Sequence, residues 1–298
     1  KRMKQTAITP AEPAVRKIKQ ISMIEHVKTR SMWAGSKTSQ TIESYVLSTS
    51  DDEKIFQFEN LKYPPALLKI IDEIIVNAID HHVLNSKLVT EIRISVMPTG
   101  EIEVYNNGPG IHIEKTKNLS GLEMYTPQLI FGEFMAGSNF DDTKDRIVGG
   151  QNGIGSKLTV VFSQIFTVET VDTISGLFYK QSFKNGLSEV DPPEIHPIVK
   201  NLKPYTRITF LPNYAEFKLD PKKFYPTINK LLETRAWQAA AYTSTKVYYN
   251  SNLITIKSFS DFCQMFTENL VFATKMLNTS KPAEYPWEVC LAVSDGKE

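Results

Sequence analysis

"DEIIVNAID", residues 72–80, sits in a run of isoleucines that reads as a buried helix, yet it carries a carboxylate and an amide at regular spacing. At roughly 100° per residue, Lys69, Glu73, Asn77 and Asp80 fall in one sector about 80° wide. Leu67, Ile71, Ile74, Ile75 and Ala78 occupy the opposite face. A solvent-facing stripe accounts for that pattern on its own. Ile70 and Val76 flank the stripe closely, however, so Glu73 stands on a narrow, half-shielded band, and a shielded carboxylate needs a partner or a task. The periodicity predicts a helix over 66–83.

Working outward, "TEIRISVMPTGEIEVYNNGPG" alternates apolar and polar residues on both sides of Pro98-Thr99-Gly100 and predicts an antiparallel pair. It runs into "YNNGPGI", residues 105–111. Asn-Gly is a strong turn signal, but an asparagine amide also offers the donor and acceptor needed to read a purine edge, and neighbouring glycines let a flat ring come close. Further on, "GGQNGIGSK", residues 149–157, holds four of the chain's 14 glycines. Glycines at such density let successive backbone amides converge on an anion, and phosphate is the natural guest. The order Ser156-Lys157 and the polar "FDDTKDRI" before it exclude a P-loop. What remains is a glycine-rich lid leading into a helix at "SKLTVVFS", whose N-terminal amides would also attract phosphate. A flexible surface loop is the alternative.

Elsewhere, "VRKIKQISMIEHVKT", "PQLIFGEFM", "YPTINKLLETRAWQAAAYT" and "FSDFCQMFTENLVFATKML" have helical patterns. "DDEKIFQFENLKYPP", "IFTVETVD", "LFYKQSFK", "TRITFLP" and "WEVCLAV" read as strands, and "KVYYNSNLITI" as a hairpin. The tally predicts an α+β protein, a mixed and mainly antiparallel sheet with helices on one face.

Composition bounds the class. With 298 residues, 41% hydrophobic and 22% charged, and no apolar run near the length of a membrane span, the chain reads as one large globular domain or one domain with an appended piece, and no membrane partner is expected. Cys263 and Cys290 stand far apart in sequence without metal-ligand spacing, which fits a reducing, intracellular compartment. Residues 1–30 hold eight Lys or Arg against Glu12 and Glu25, a charge of +6, which leaves −5 for the rest of a chain whose net charge is +1. That basic arm is read as a solvated tail, with nucleic acid or a partner subunit as the other possibility. The first residue is not Met and no secretory segment follows, so an excised segment of something longer is expected. His81 and His82 are read as helix-end residues favoured by the dipole, not metal ligands. Asp141, Asp142 and Asp145 are read as a solvated loop lacking calcium-site spacing. Tyr248 and Tyr249 are read as strand packing, with base stacking by them or Tyr242 as the alternative.

A water activator on a helix, a base-reading strand end and a phosphate-cradling lid, in that order, amount to an ATP site. These residues resemble the GHKL ATPases. The first motif of that family, E-x-x-x-N-A-x-D, is met by Glu73, Asn77, Ala78 and Asp80, and the second, [DN]-x-G-x-G, by Asn106, Gly108 and Gly110. The third is the glycine-rich lid. Within the family, "IIDEIIVNAID", "VYNNGPGI", "LIFGEFMAGSNFDD", "VGGQNGIGSKL", "FTVETVD" and "WEVCLA" are similar to eukaryotic-type type IIA DNA topoisomerases, from about residue 20 to the end.

The resemblance implies a GHKL (Bergerat) fold and a division into a basic arm with a first helix (1–38), an ATP-binding domain (39–256) and the beginning of a transducer domain (257–298). It implies Glu73 as the general base that activates water, Asn77 as a Mg²⁺ ligand and Asn106 as the adenine contact. Gly137, Ser138 and Asn139 would contact ribose and phosphates. Gly150, Gln151, Asn152, Gly153, Ile154, Gly155, Ser156 and Lys157 would wrap the triphosphate, and Asp80 would have a supporting role. The implied cofactors are ATP and Mg²⁺; the implied partners are double-stranded DNA, through the full-length enzyme, and a second copy of the chain on ATP binding. Departures are Pro109, where the family usually has a basic residue, His112, where it usually has proline, and Ile154 and Ser156 in the lid. Pro109 and His112 are expected to be tolerated because neither supplies a required atom. The family's Gln-Thr-Lys loop, which reaches the γ-phosphate, would lie beyond residue 298, so weak hydrolysis is expected of this segment. The alternatives are a GHKL clamp that dimerises on ATP without hydrolysing it, or a chaperone or mismatch-repair type ATPase. Divergence within the motifs suggests a viral version, located in the host cytoplasm or nucleus; a cellular one would be nuclear.

Overall fold

The computed structural model describes residues 18–50, 53–136, 153–256, 258–267, 270–276 and 287–293. In chain order, two short helices, α1 (Met23–Thr29) and α2 (Ser31–Ala34), precede a long hairpin of β1 (Gln40–Ser50) and β2 (Glu53–Tyr63). Then follow α3 (Pro65–Leu84), β3 (Glu91–Val96), β4 (Ile102–Asn107), the small pair β5 (Lys115–Lys117) and β6 (Glu123–Tyr125), α4 (Thr126–Gly132) and α5 (Gly155–Val161). Next come β7 (Ser163–Asp172), β8 (Leu177–Lys184), β9 (Glu189–Val190), β10 (Glu194–Pro197), β11 (Tyr205–Pro212), α6 (Pro221–Thr243), β12 (Lys246–Tyr249) and β13 (Asn252–Ile254). The last elements are α7 (Phe259–Gln264), β14 (Leu270–Met276) and β15 (Trp287–Ala292).

The main sheet runs β10-β8-β7-β11-β4-β3-β12-β13, with β9 on β8. Every adjacent pair is antiparallel except β12 with β3. One face is apolar. Ile92, Ile94, Val104, Phe166, Val168, Ile208, Phe210 and Val247 point from successive strands into a core closed by α3, α5 and α6. Each alternates with a polar neighbour on the other face, as a half-buried sheet requires. On that outer face, Arg93 lies over Tyr105 and Tyr248, and Arg207 over Tyr105 and Tyr205. Tyr248 therefore packs on the sheet, while Tyr249 is buried and its hydroxyl donates to the Asn229 carbonyl.

The helix predicted over 66–83 is α3, started by Pro65 in its first turn. Isoleucine is a mediocre helix former, so burial of Ile70, Ile71, Ile74, Ile75 and Ile79 in the core, not propensity, holds this helix. α6 begins with Asp220, whose carboxylate accepts from the amides of Lys222 and Lys223, followed by Pro221. α5 docks on α3 through the buried Thr159 hydroxyl, which donates to the Ile70 carbonyl at 2.6 Å. That contact sets the height of α5 over the polar stripe.

Three readings need correction. The helix expected over "FSDFCQMFTENLVFATKML" ends at Gln264, and Leu270–Met276 is a strand paired antiparallel with β15. Its apolar residues satisfy either period, and the partner strand, distant in sequence, decides. The sequence reading has no strand over 40–50, where β1 pairs with β2 along its whole length. Cys263 and Cys290, far apart in sequence, are neighbours on α7 and β15 and both are free thiols; burial, then the Cys290 thiol, push the Cys263 thiol up to about 12. Finally, His112 does supply a needed atom, though to the fold.

That atom is Nδ1 of His112, 2.8 Å from Oδ2 of Asp172 at the end of β7. Asp172 is 2% exposed and also accepts from the amides of Ile113, Ile174 and Ser175. Burial alone would raise its pKa; these hydrogen bonds outweigh it and hold the carboxyl at about 2, against an ordinary 3.8. A carboxyl depressed in the folded state contributes stability that is complete above about pH 4 and lost as pH falls from about 4 through about 2. Asp172→Asn should therefore cost about 2 kcal/mol at neutral pH, with the difference from the parent shrinking towards pH 2 in urea denaturation.

Candidate active site

Between α3 and the inner ends of β4 and β11 opens a cleft of about 680 Å³, lined also by α2, α4 and α5. All four residues of the polar stripe, Lys69, Glu73, Asn77 and Asp80, line it. The stripe lines the cleft, with Glu73 shielded and Lys69 and Asn77 still open to solvent, and that cleft answers why polar groups stand among the isoleucines.

Glu73 is half-buried, its side chain 18% exposed, and it is ion-paired to Lys69 one turn earlier on the same helix. Over it lies the first residue of α5. A β-carbon built on Gly155 would stand 1.8 Å from Oε2 of Glu73, so glycine is what lets the lid's helical end close down on this carboxylate. The amides of Gly155, Ser156 and Lys157, in the first turn of α5, have no helical partners, and all three residues line the cleft. Gly153 has φ +58°, the left-handed region that glycine adopts at little cost, and Ile154 anchors the turn by packing on the core.

Lys157 is 1% exposed, and Nζ donates to the Ala136 carbonyl. Burial lowers its pKa to about 8. Lys157 thus brings a buried ammonium, held by a backbone carbonyl, to the lining of the cleft.

At the other end of the cleft the two asparagines of "YNNGPGI" divide their roles. Asn107 is structural: its Oδ1 accepts from the amides of Thr90 and Glu91 at 2.8 and 2.9 Å and so pins the start of β3. Asn106, 5% exposed, lines the cleft. It pairs in register with Thr206 of β11, which pairs in turn with Thr170 of β7, giving a polar row across the inner face. Thr170 Oγ1 accepts from the Ile111 amide and donates to the Tyr205 carbonyl, fixing the turn after β4. Gly110 lines the cleft and also meets a backbone need. Its missing β-carbon would stand 2.1 Å from the Val171 carbonyl, so the glycine admits the backbone of β7.

Among the predicted site residues, the structure brings together Glu73, Asn77, Asn106, Gly153, Ile154, Gly155, Ser156 and Lys157 around one cleft, with Asp80 beside them. Gly137, Ser138, Asn139, Gly150, Gln151 and Asn152, like Asp141, Asp142 and Asp145, lie outside the described residues. Among the polar side chains that line the cleft, sequence reasoning missed four. Trp33 comes from α2, its indole N–H donating to Nδ1 of His26 at 2.9 Å, and no motif marks it. Thr206 is a polar residue on the inward side of an apolar strand, a signal that was readable. Lys69 received no role. His81, four residues past Asn77, hydrogen-bonds Asn106 in the cleft, whereas His82 is buried, its ring nitrogens 2.7 Å from the Val89 carbonyl and 3.1 Å from the Thr243 carbonyl.

The fold and this site define an ATPase of the GHKL class. Residues 62–175 match the family of histidine kinase-, DNA gyrase B- and HSP90-like ATPases. Similar chains include DNA topoisomerase 2 of Penicillium chrysogenum, 34% identical over 289 residues (94% of this chain, 18% of the relative). That of Acanthamoeba polyphaga mimivirus is 34% identical over 238 residues (78% and 18%), and human DNA topoisomerase 2-alpha is 32% identical over 279 (92% and 18%). Among solved structures, the ATPase region of Saccharomyces cerevisiae topoisomerase II superposes with a TM-score of 0.82 at 30% identity, covering 93% of this chain and 71% of that one. The ATPase and transducer domains of DNA topoisomerase II from Balamuthia mandrillaris give 0.80 at 30% identity, covering 88% and 66%. The chain belongs to the family of topoisomerase II ATPase regions. It spans 18% of the length of these curated relatives.

Proposed function

We propose that this cleft binds ATP with Mg²⁺ and hydrolyses it, and that in the longer protein the module closes with a second copy to drive passage of one DNA duplex through another. The observation that carries the chemistry is Glu73, half-buried under Gly155 on the same helical face as Asn77, in a cleft that Lys157 and the first turn of α5 also line. The water oxygen attacks the γ-phosphorus, its proton passes to the Glu73 carboxylate, and the bond from the γ-phosphorus to the bridging oxygen breaks to release ADP. Lys157 and the first-turn amides meet the charge on the phosphates. Asn106 meets the adenine.

Among the described residues no cluster of three His, Cys, Asp or Glu offers a resident metal site. A single neutral oxygen, that of Asn77 in the cleft, suits Mg²⁺, which takes few protein ligands and draws the rest from phosphates and water. Bound there, Mg²⁺ would neutralise phosphate charge.

Lys157 gives a pH test of the binding step. Because its folded pKa is lowered to about 8, the free site loses this positive charge as pH rises through about 8. ATP affinity, measured by calorimetry, should fall above that pH. Lys157→Met should bind ATP at least about tenfold more weakly at pH 7 and lose the alkaline fall-off. An unchanged affinity in the variant contradicts a triphosphate at this end of the cleft.

The domain division at 257, with a transducer beginning there, is part of the same proposal, as is an intracellular location. So is weak turnover by this chain alone: the longer protein should hydrolyse ATP at least about tenfold faster per site, because a γ-phosphate contact from outside the chain adds transition-state stabilisation. Steady-state ATPase assays of the two decide it.

A further inference from the structure

Nδ2 of Asn106 lies 2.9 Å from the carbonyl oxygen of Asn107, a group that can only accept. This contact fixes which end of the amide is nitrogen. The same Nδ2 lies 2.8 Å from Nδ1 of His81. Since Nδ2 donates, Nδ1 accepts, and the imidazole is neutral with its proton on Nε2. Oδ1 of Asn106 accepts no hydrogen bond among the described residues, on a side chain that lines the cleft.

Resting on the ATP-site reading above, we propose that His81 is a positioning residue that locks the Asn106 amide with its oxygen towards the ligand, so that the cleft selects a purine bearing a 6-amino group over one bearing a 6-oxo group. A 6-amino group donates to a carbonyl oxygen; a 6-oxo group presents a second acceptor against it. A mismatched buried pair leaves both groups without partners, the kind of contact by which sites discriminate most strongly.

Protonation of His81 dismantles the device. An N–H at Nδ1 would oppose the hydrogens of Nδ2, and relief requires turning the amide over, which sends its nitrogen to the cleft and its oxygen against the Asn107 carbonyl. Burial is the larger influence on His81 and holds its pKa below its ordinary value. The titratable groups lining the same cleft are Lys69, Glu73 and Asp80 on α3 and Lys157 on α5. β4, β11 and α2 contribute Asn106, Thr206 and Trp33, which do not titrate.

The test is the ratio of ATP to ITP affinity, measured by calorimetry on this chain. The two nucleotides carry the same triphosphate, so titration of the phosphates and of Lys157 cancels in the ratio. At pH about 8 the parent should prefer ATP by at least about tenfold, and His81→Phe, which fills the space without an acceptor, should lose most of that preference. His81→Asn, whose side-chain oxygen can stand where Nδ1 stands, should keep it. Lowering the pH to about 5 should erode the preference of the parent and leave that of His81→Asn unchanged. A long-range nitrogen–proton spectrum, with the His81 signal assigned by its loss in His81→Asn, should show the Nε2–H form at pH about 8.

A ratio that neither substitution nor pH moves overturns the inference. So does an equal loss in the Phe and Asn variants, which would make His81 a matter of shape alone. A parent chain that binds neither nucleotide overturns instead the ATP-site reading, and the inference falls with it.

Discussion

Glu73→Gln, made in the longer protein, should lower ATP turnover by about 10²–10⁴-fold while leaving ATP affinity within about threefold of the parent. The glutamine keeps the size of the side chain and its place under Gly155, and removes only the ability to take a proton. In phosphoryl transfer the protein contributes mainly by positioning and by charge, so a base acting on the attacking water is felt in turnover and scarcely in ground-state binding. The fold should not suffer. Glu73 pairs with Lys69, whose side chain is about half exposed, at an i,i+4 spacing, and such a pair is worth only a few tenths of a kcal/mol. A glutamine variant with parental turnover would leave the ATPase class standing but remove Glu73 from its chemistry, and the clamp reading would replace the hydrolytic one.

Gly155→Ala is the sharper geometric test, with an effect expected to approach that of the first. The added methyl would lie 1.8 Å from Oε2 of Glu73 and 2.8 Å from its carboxyl carbon, so one of the two must move. Glu73 is the far end of a flexible side chain, whereas α5 is held on α3 by the buried Thr159 contact with Ile70. The carboxylate is therefore what yields. Stability should change by less than about 1 kcal/mol, since alanine is favoured over glycine within a helix. Turnover should fall about 10²-fold, the loss expected when a catalytic group is displaced by about an ångström. The double variant Gly155→Ala/Glu73→Gln should be little worse than Glu73→Gln alone, because both act on one atom group. Additive losses would mean that Gly155 acts on something else, such as the path of the lid over the phosphates.

The parts of this molecule that declared themselves in the sequence are those governed by short-range period and by residue types with narrow uses. α3 was legible because its apolar positions repeat at helical spacing, and β3 and β4 because they alternate around a Pro-Thr-Gly turn. The site was legible because a carboxylate and an amide four residues apart on one helix face are followed, in order, by a strand-end asparagine and a glycine-rich lid. β14 was not, since an apolar run compatible with both periods takes its state from β15, and the sequence does not say which distant strand will pair. β1, rich in Ser and Thr, carries no regular alternation of its own, although its partner β2 is adjacent in the chain.

Within the site, the identity of a contact was harder to read than its existence. Gly155 and Gly110 are both glycines of motifs, but one makes room for Glu73 and the other for the carbonyl of Val171, and only the packing of α5 and β7 distinguishes them. His112 illustrates the same limit: its departure from the family pattern is visible, while the buried carboxylate it serves lies 60 residues away. His81 extends the stripe of Lys69, Glu73 and Asn77 by one more step of four, a signal outweighed in the sequence by its place at a helix end, where histidine has a simpler explanation.

The most direct measurement is a crystal structure of this chain with Mg²⁺ and a non-hydrolysable ATP analogue. The triphosphate should lie between α3 and α5, with a Glu73 oxygen within hydrogen-bond reach, about 2.6–3.2 Å, of a water in line with the γ-phosphorus. An analogue seated elsewhere, or one in the cleft with the Glu73 carboxylate turned away from its terminal phosphate, would contradict the account.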